Sequence, residues 1–184
     1  MIPGDDDMQD TQPYKVLFVC SGNSARSILA EAILNRMGQG RFVAYSAGSD
    51  PVGHVHPAAS RTLEMNGHDP RTARSKTWLE FAGPEAPRLD MVFTLCDRAA
   101  GEVCPHWQGE PVVAHWDLSD PAEAPLPDQM AAFHATYMDL ERRITLLTAL
   151  PLAALDRLAL KARLRDIGGG GTGMSEMPLA AGPA

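Results

Sequence analysis

The stretch KVLFVC at residues 15–20 restricts the possible folds more than any other part of the chain. After Lys15 it is apolar without alternation, so a strand formed here would bury both of its faces, which is typical of parallel sheets. A helical pattern follows from about Ser24 to Met37 and stops at Gly38. The chain then continues as alternating strand and helix patterns.

Three more strands are predicted at 42–48, 91–96 and 111–116, and helices at 57–67, 76–81, 127–149 and 152–165. In the last two helices, the predicted buried positions are Leu140, Ile144, Leu147, Leu155 and Leu158. This alternation predicts an α/β fold, a four-stranded parallel sheet flanked by helices on both faces. We expect a single catalytic domain at 13–167, between a disordered acidic N-terminal tail at 1–12 and a flexible Gly/Pro-rich C-terminal tail at 168–184.

The charge distribution excludes some partners. The net charge is −7, but five acidic residues lie in the two tails, so residues 11–166 carry only about −2. No basic stripe with interleaved aromatic residues is visible, so we predict no nucleic-acid partner. The start of the chain does not resemble a secretory signal, and no apolar run reaches the roughly 20 residues of a membrane span. Three cysteines are more typical of reactive thiols than of a secreted disulfide framework, so we expect a cytoplasmic protein.

The segment CSGNSAR, residues 20–26, directly follows the first strand. In parallel sheets, ligands bind beyond the carboxyl ends of the strands. A loop that wraps into the start of a helix directs consecutive backbone N–H groups at one point and favours an anion. Gly22 and Asn23 tolerate unusual backbone angles, and Arg26 offers a planar fork for two oxygens of a tetrahedral oxyanion. The predicted oxyanion-binding residues are Ser21, Gly22, Asn23, Ser24, Ala25, Arg26 and Ser27.

The same field would stabilise a thiolate on Cys20, to which the hydroxyl of Ser27 could donate a hydrogen bond. Cys20 is therefore the predicted nucleophile, aimed at the central atom of the bound anion. We predict no metal site, because the paired Cys and His spacings of zinc sites are missing. His54 and His56 are expected to be loop and capping residues, and Asp117 a turn residue.

The segment 20–27 resembles the signature of the low-molecular-weight protein tyrosine phosphatase superfamily, a cysteine and an arginine separated by five residues and followed by Ser or Thr. The stretches SAG (46–48), HPAA (56–59) and SKTW (75–78) also look like landmarks of that superfamily, and the similarity covers roughly residues 14–150. The pair Asp120-Pro121 looks like the pair that supplies its general acid. The resemblance implies its fold and a catalytic role for Asp120.

Two further cysteines favour one branch of this superfamily. The segment LCDRAAGEVCPHW, with Cys96 and Cys104, is similar to that of the thiol-coupled arsenate reductases on this fold. That resemblance implies reduction of arsenate to arsenite, a role in arsenical resistance, and a disulfide relay from Cys20 to Cys96 to Cys104. Ala25 stands where some of these reductases carry another cysteine. No bound cofactor is expected, only an external thiol reductant, either thioredoxin or glutaredoxin with glutathione.

Geometry adds an expectation for the relay. The Cα atoms of a disulfide lie within about 7 Å, whereas eight residues span roughly 12 Å as a helix and roughly 26 Å as a strand. Residues 96–104 must therefore fold back to join Cys96 to Cys104. We predict a mobile loop there, with Gly101 as a hinge.

Three functions remain open at this stage. The first is arsenate reduction, with phosphate or sulfate as substrate mimics, by a protein that we expect to be a monomer. The second is hydrolysis of phosphotyrosine or small phosphomonoesters through a phospho-Cys20 intermediate. The third is an oxyanion or arsenite sensor that uses the same thiols. Asp120-Pro121 is followed by Ala122, Glu123, Ala124 and Pro125, without the aromatic residues with which phosphatases stack on a substrate ring.

Overall fold

The computed structural model describes residues 12–169, and its centre is a four-stranded sheet. The strands are β1 (Tyr14–Cys20), β2 (Phe42–Gly48), β3 (Met91–Thr94) and β4 (Val112–His115), in the spatial order β2-β1-β3-β4. All neighbouring pairs are parallel. The predicted α/β class and parallel sheet are therefore confirmed. The predictions for the two tails fall on residues 1–11 and 170–184, outside the described residues, and the structure continues the last helix through Gly168.

Five helices accompany the sheet in the described part of the chain: α1 (Arg26–Met37), α2 (Pro57–Met65), α3 (Asp97–Gly101), α4 (Leu126–Thr148) and α5 (Arg157–Gly168). The sequence analysis found all of them except α3. The expected helix at 76–81 is only a 3₁₀ turn, Trp78–Phe81. His56 caps α2, because its Nδ1 accepts a hydrogen bond from the N–H of Ala58 at 3.1 Å, which confirms its expected capping role.

The order of the strands determines where a site can form. Every residue of β3 and residues 16–20 of β1 are buried, so helices and loops cover both faces of the sheet. The chain leaves β1 toward one edge through β2 and returns to β3 on the other side of β1. Ligands of such sheets bind at this reversal. Cys20 ends β1, and Cys96 follows β3 by two residues, so both thiols lie there.

The expected buried stripe of the last helix is wrong. Leu158 is 78% exposed and Leu155 is only half-buried, whereas Leu164 and Ile167 are buried. The reason is the start of α5, which the carboxylate of Asp156 caps by accepting from the N–H of Ala159 at 2.8 Å. The helix begins five residues later than predicted, and its face toward the core shifts accordingly. No helix in residues 12–169 is long and apolar enough to cross a membrane.

We predict that Leu164→Ala lowers the free energy of unfolding by roughly 3 kcal/mol, because it opens a cavity beside Trp116, whose indole N–H donates to the Leu164 carbonyl at 2.8 Å. The matched control, Leu158→Ala, removes an exposed side chain and should change stability by less than about 0.5 kcal/mol. Urea denaturation of both variants measures the difference. Equal losses would contradict the orientation of α5.

Candidate active site

The loop after β1 has its carbonyl groups fixed by the segment 49–56. Backbone N–H groups of that segment donate hydrogen bonds of 2.9 to 3.3 Å to four loop carbonyls, those of Cys20, Ser21, Gly22 and Ser24. No backbone N–H of residues 21–25 donates to an oxygen of the described residues. The N–H of Asn23 is directed at Cys20, whereas the N–H groups of residues 21, 22, 24 and 25 are available to a bound anion.

Asn23 holds the turn of the loop from inside. It is fully buried and has a φ of 42°, in the left-handed region that Asn tolerates. Its amide Nδ2 donates to Ser27 Oγ at 2.8 Å, and its Oδ1 accepts from the N–H of Lys76 at 2.6 Å. Gly22 has no positive φ, so the expected unusual angle belongs to Asn23 and not to Gly22.

The absence of a side chain at Gly48 leaves space for the loop after β1. A Cβ atom at this position would lie 2.4 Å from the carbonyl oxygen of Ser21. The glycine of the SAG stretch is therefore required by the close approach of β2 to the loop, and a larger side chain would push the loop out of place.

Cys20 lies beneath the loop and is 2% exposed. Its Sγ is 2.9 Å from Ser27 Oγ, and because that hydroxyl accepts from Asn23, its own hydrogen is free to point at the sulfur. Burial raises the pKa of the Cys20 thiol; the Ser27 hydroxyl, the N–H groups of Ser27 and Asn23, and the charge of Arg26 lower it, by less in total. The net effect favours the neutral thiol of Cys20. The sequence had predicted only the effect of the loop, which stabilises the thiolate.

Arg26 connects the loop to Asp120. Its Nη2 donates to Asp120 Oδ2 at 2.5 Å, and its Nη1 donates to the carbonyl of Leu118 at 3.0 Å. Its Nε is buried and has no partner among the described residues. The guanidinium therefore keeps one unused donor while the Asp120 carboxylate balances its charge.

A cavity of about 420 Å³ opens above these groups. Cys96 lies in its wall, with Sγ 3.5 Å from Ser21 Oγ. The cavity brings together most of the predicted site residues, namely Cys20, Ser21, Gly22, Ser24, Ala25, Arg26, Cys96 and Asp120. Asn23 and Ser27 are buried behind the loop. Asp117, expected to be a turn residue, also lines the cavity.

Cys104 is the one predicted catalytic residue that does not line the cavity. It is half-buried, and all three cysteines are free thiols. Burial, together with the negative charge of Glu102, raises the pKa of the Cys104 thiol.

The segment expected to be a mobile loop contains α3 in this structure. Cys96 is its N-cap residue, and its Sγ accepts from the N–H of Ala99 at 3.5 Å. Gly101 ends the helix. Five residues are too few to show a helical period in a sequence, which is why the analysis missed this element. The predicted change of this segment between redox states stays a prediction.

Lys76 is a residue whose place the sequence did not reveal. Its side chain is 6% exposed, and its Nζ lies 3.1 Å from Glu31 Oε2 and 3.1 Å from Ser46 Oγ. Its carbonyl also accepts from the N–H of Gly48 at 2.8 Å, while its own N–H holds Asn23. Lys76 thus stabilises the loop of residues 20–26, the candidate anion loop, through Asn23 and Gly48. The only sequence signal for it is its place in the SKTW stretch.

Asp97, His115 and Asp117 place possible cation ligands within 4.8 Å of one another beside the cavity. Hydrogen bonds already account for the position of His115, because its Nδ1 lies 2.9 Å from Thr94 Oγ1 and its Nε2 lies 3.2 Å from Asp97 Oδ1. Both carboxylates are exposed. Water solvates such groups readily, and the geometry alone does not indicate a metal.

Residues 15–159 match the family described as low molecular weight phosphotyrosine protein phosphatase. The chain belongs to this family. Three parts of the structure correspond to the resemblance seen in the sequence. They are the parallel sheet, the loop from Cys20 to Arg26, and Asp120 in its ion pair with Arg26.

Within this family the chain is similar to arsenate reductases. It is 33% identical over 131 residues to the arsenate reductase of Halalkalibacterium halodurans, which covers 70% of this chain and 91% of the relative. It is also 33% identical over 107 residues to a glutaredoxin arsenate reductase of Synechocystis, covering 58% of this chain and 78% of the relative. A solved arsenate reductase in a phosphate-binding state is 28% identical, with a TM-score of 0.61, covering 74% of this chain and 97% of that one.

We predict that Ser27→Ala raises the pKa of Cys20 further, because it removes a donor to the thiolate. A hydrogen bond to a charged group is worth about 1.5 to 3 kcal/mol, so the shift should be about one pH unit or more. The rate of Cys20 alkylation by iodoacetamide against pH, followed by mass spectrometry, measures it. Ser24→Ala, at a cavity residue that does not contact the sulfur, should leave the profile in place. An unchanged Ser27→Ala profile would contradict the assigned contact.

We predict that Lys76→Met lowers the free energy of unfolding by roughly 3 kcal/mol, because it leaves the partly buried Glu31 carboxylate without its cation. Adding Glu31→Gln should recover part of the loss. Arg74→Met is the control, since its ion pair with Glu80 is exposed and worth at most about 1 kcal/mol. Guanidinium denaturation measures the free energy of unfolding of the wild type, the two single variants and the double variant. Equal losses of stability in Lys76→Met and Arg74→Met would disprove the supporting role of Lys76.

Proposed function

We propose that this protein is an arsenate reductase that converts arsenate to arsenite through the thiols of Cys20, Cys96 and Cys104. The observation that carries the proposal is a second thiol in the anion cavity, Cys96, whose Sγ lies 3.5 Å from the hydroxyl of Ser21. Ester hydrolysis needs only one thiol. Relatives named arsenate reductases, at 33% identity, support the same reaction.

Arsenate has the shape and charge of phosphate, and the loop suits both. The free N–H groups of residues 21, 22, 24 and 25 surround the oxyanion, while the unused Nε of Arg26 donates to one of its oxygens. Phosphate and sulfate are expected to bind as mimics. A similar arsenate reductase has been solved in a phosphate-binding state, which supports phosphate as a mimic.

In the first step, the Cys20 thiolate attacks arsenic and an arsenate oxygen leaves as water. We propose Asp120, whose Oδ2 lies 2.5 Å from Arg26 Nη2, as the general acid that transfers to this oxygen a proton held by the bound arsenate. Because burial raises the pKa of Cys20, the neutral thiol first passes its proton to the bound arsenate dianion, and the Ser27 hydroxyl then stabilises the thiolate. The product is a Cys20–arsenic(V) adduct.

In the second step, the Cys96 thiolate attacks Cys20 Sγ. A Cys20–Cys96 disulfide forms, the sulfur–arsenic bond breaks, and its electron pair reduces arsenic(V) to arsenic(III), which leaves as arsenite. Cys104 then attacks Cys96 Sγ, which releases the Cys20 thiolate and leaves a Cys96–Cys104 disulfide. Two thiols have been oxidised for one arsenate reduced, and an external dithiol must restore them.

We propose thioredoxin, or glutaredoxin with glutathione, as the reductant. Relatives bear names of both kinds, one a glutaredoxin arsenate reductase and one a thioredoxin-dependent arsenate reductase. Val103 beside Cys104 is 95% exposed, so a partner can approach this sulfur. Such a cycle requires a reducing compartment, and we infer a cytoplasmic enzyme.

The second candidate is hydrolysis of phosphomonoesters by the same loop. The loop, Cys20 and Asp120 would suffice for it. However, none of the residues described as lining the cavity is aromatic, so a phosphotyrosine ring would have no stacking partner. We therefore favour arsenate over phosphotyrosine as the substrate.

The test is arsenate turnover with defined thiol donors and mass-spectrometric mapping of the disulfides. Cys96→Ser should produce no arsenite, and Cys104→Ser should stop after about one turnover with a Cys20–Cys96 disulfide, because the relay is blocked at successive steps. Both variants should keep any side activity on p-nitrophenyl phosphate, which Cys20→Ser abolishes. Full arsenate turnover by Cys96→Ser would overturn the relay, and oxyanion binding without turnover by the wild type would indicate a sensor.

A further inference from the structure

We propose that Arg98 binds the oxyanion in the reduced protein, and that closure of the Cys96–Cys104 bond withdraws it from the cavity. Arg98 is the second residue of α3 and lines the cavity. The inference rests on the proposed reductase function and extends it, since it makes oxyanion affinity depend on the redox state of the relay.

The charges around the cavity require a second cation. Among residues 12–169, four acidic side chains line it, Asp97, Asp117, Asp120 and Glu123, against two guanidinium groups, Arg26 and Arg98. The ion pair with Asp120 already balances the charge of Arg26. A dianion entering this cavity meets excess negative charge, and Arg98 is the cationic lining residue that no short ion pair holds.

Arg98 is only loosely held in the empty site. Its Nη2 lies 3.5 Å from Asp50 Oδ2, its Nε lies 3.3 Å from Glu102 Oε1, and its side chain is 65% exposed. Long, exposed ion pairs contribute little. The guanidinium can therefore leave these carboxylates at small cost and turn its planar fork toward two oxygens of a bound anion.

Arg98 belongs to the chain segment that connects Cys96 to Cys104. Cys96 Sγ contacts Ser21 and the N–H of Ala99 inside the cavity, whereas Cys104 does not line it. The sulfurs bond at about 2 Å, and the inference takes residues 97–103 to rearrange when this bond closes. A five-residue helix has few hydrogen bonds to lose, and Arg98 moves with it. The oxidised protein then binds oxyanions more weakly until its reductant restores it.

The test is sulfate binding, measured by calorimetry at low ionic strength. Sulfate stays a dianion at neutral pH and cannot be reduced by these thiols. We expect the oxidised wild type, with its Cys96–Cys104 disulfide verified by mass spectrometry, to bind sulfate roughly three- to fivefold more weakly than the reduced form. Arg98→Gln should weaken binding to the reduced form by a similar factor and remove the difference between redox states.

Arg71→Gln is the matched control. It changes the net charge equally, but Arg71 is 87% exposed, pairs with Asp69 and does not line the cavity, so sulfate affinity should change by less than about twofold. The inference is overturned if reduced Arg98→Gln binds sulfate as tightly as the wild type, or if its oxidised and reduced forms still differ in sulfate affinity. Neither result affects the proposed reductase function. A reduced wild type that binds no sulfate, or that never forms the Cys96–Cys104 disulfide, overturns the proposed function itself.

Discussion

The hydrogen bonds between the segment 49–56 and the carbonyls of the anion loop are the contacts on which the site depends. They hold the carbonyls of residues 20–22 and 24, which leaves the N–H groups of residues 21, 22, 24 and 25 unused, and the loop becomes a concentrated source of partial positive charge. Gly48 permits the close approach that these bonds need, and Asn23 fixes the turn in a left-handed conformation. Lys76 connects both, since its backbone bonds to Gly48 and to Asn23.

Two opposing effects act on the nucleophile. Burial favours the neutral thiol of Cys20, while the Ser27 hydroxyl and the Arg26 guanidinium favour the thiolate. The balance is on the side of the thiol when the cavity is empty, and Asp120 offsets the charge of Arg26 at the same time. We infer that the oxyanion itself completes the reactive arrangement, by engaging Arg26 and freeing Asp120 to act as an acid.

The sequence predicted the parts that depend on local chemistry. A buried strand that ends on a thiol, followed by a loop with Gly22, Asn23 and Arg26, defined the sheet and the anion site, and the structure places Asp120 on Arg26. It could not predict α3, whose five residues show no period. It missed the burial of Lys76, because only the tertiary structure brings Glu31 and Ser46 to its ammonium group. The predicted start of α5 and its predicted buried positions were wrong, because the helix begins only after its cap at Asp156.

The strand order carries a more general consequence. Val19 of β1 is the register partner of Thr94 of β3, so whatever side chains follow these two residues emerge next to each other at the same edge. A cysteine just after β3 therefore lies beside the loop that follows β1, and no change in topology is needed to bring it there. One scaffold can thus accommodate either hydrolytic or electron-transfer chemistry, and the choice between them is made by a few side chains at the rim rather than by the architecture beneath.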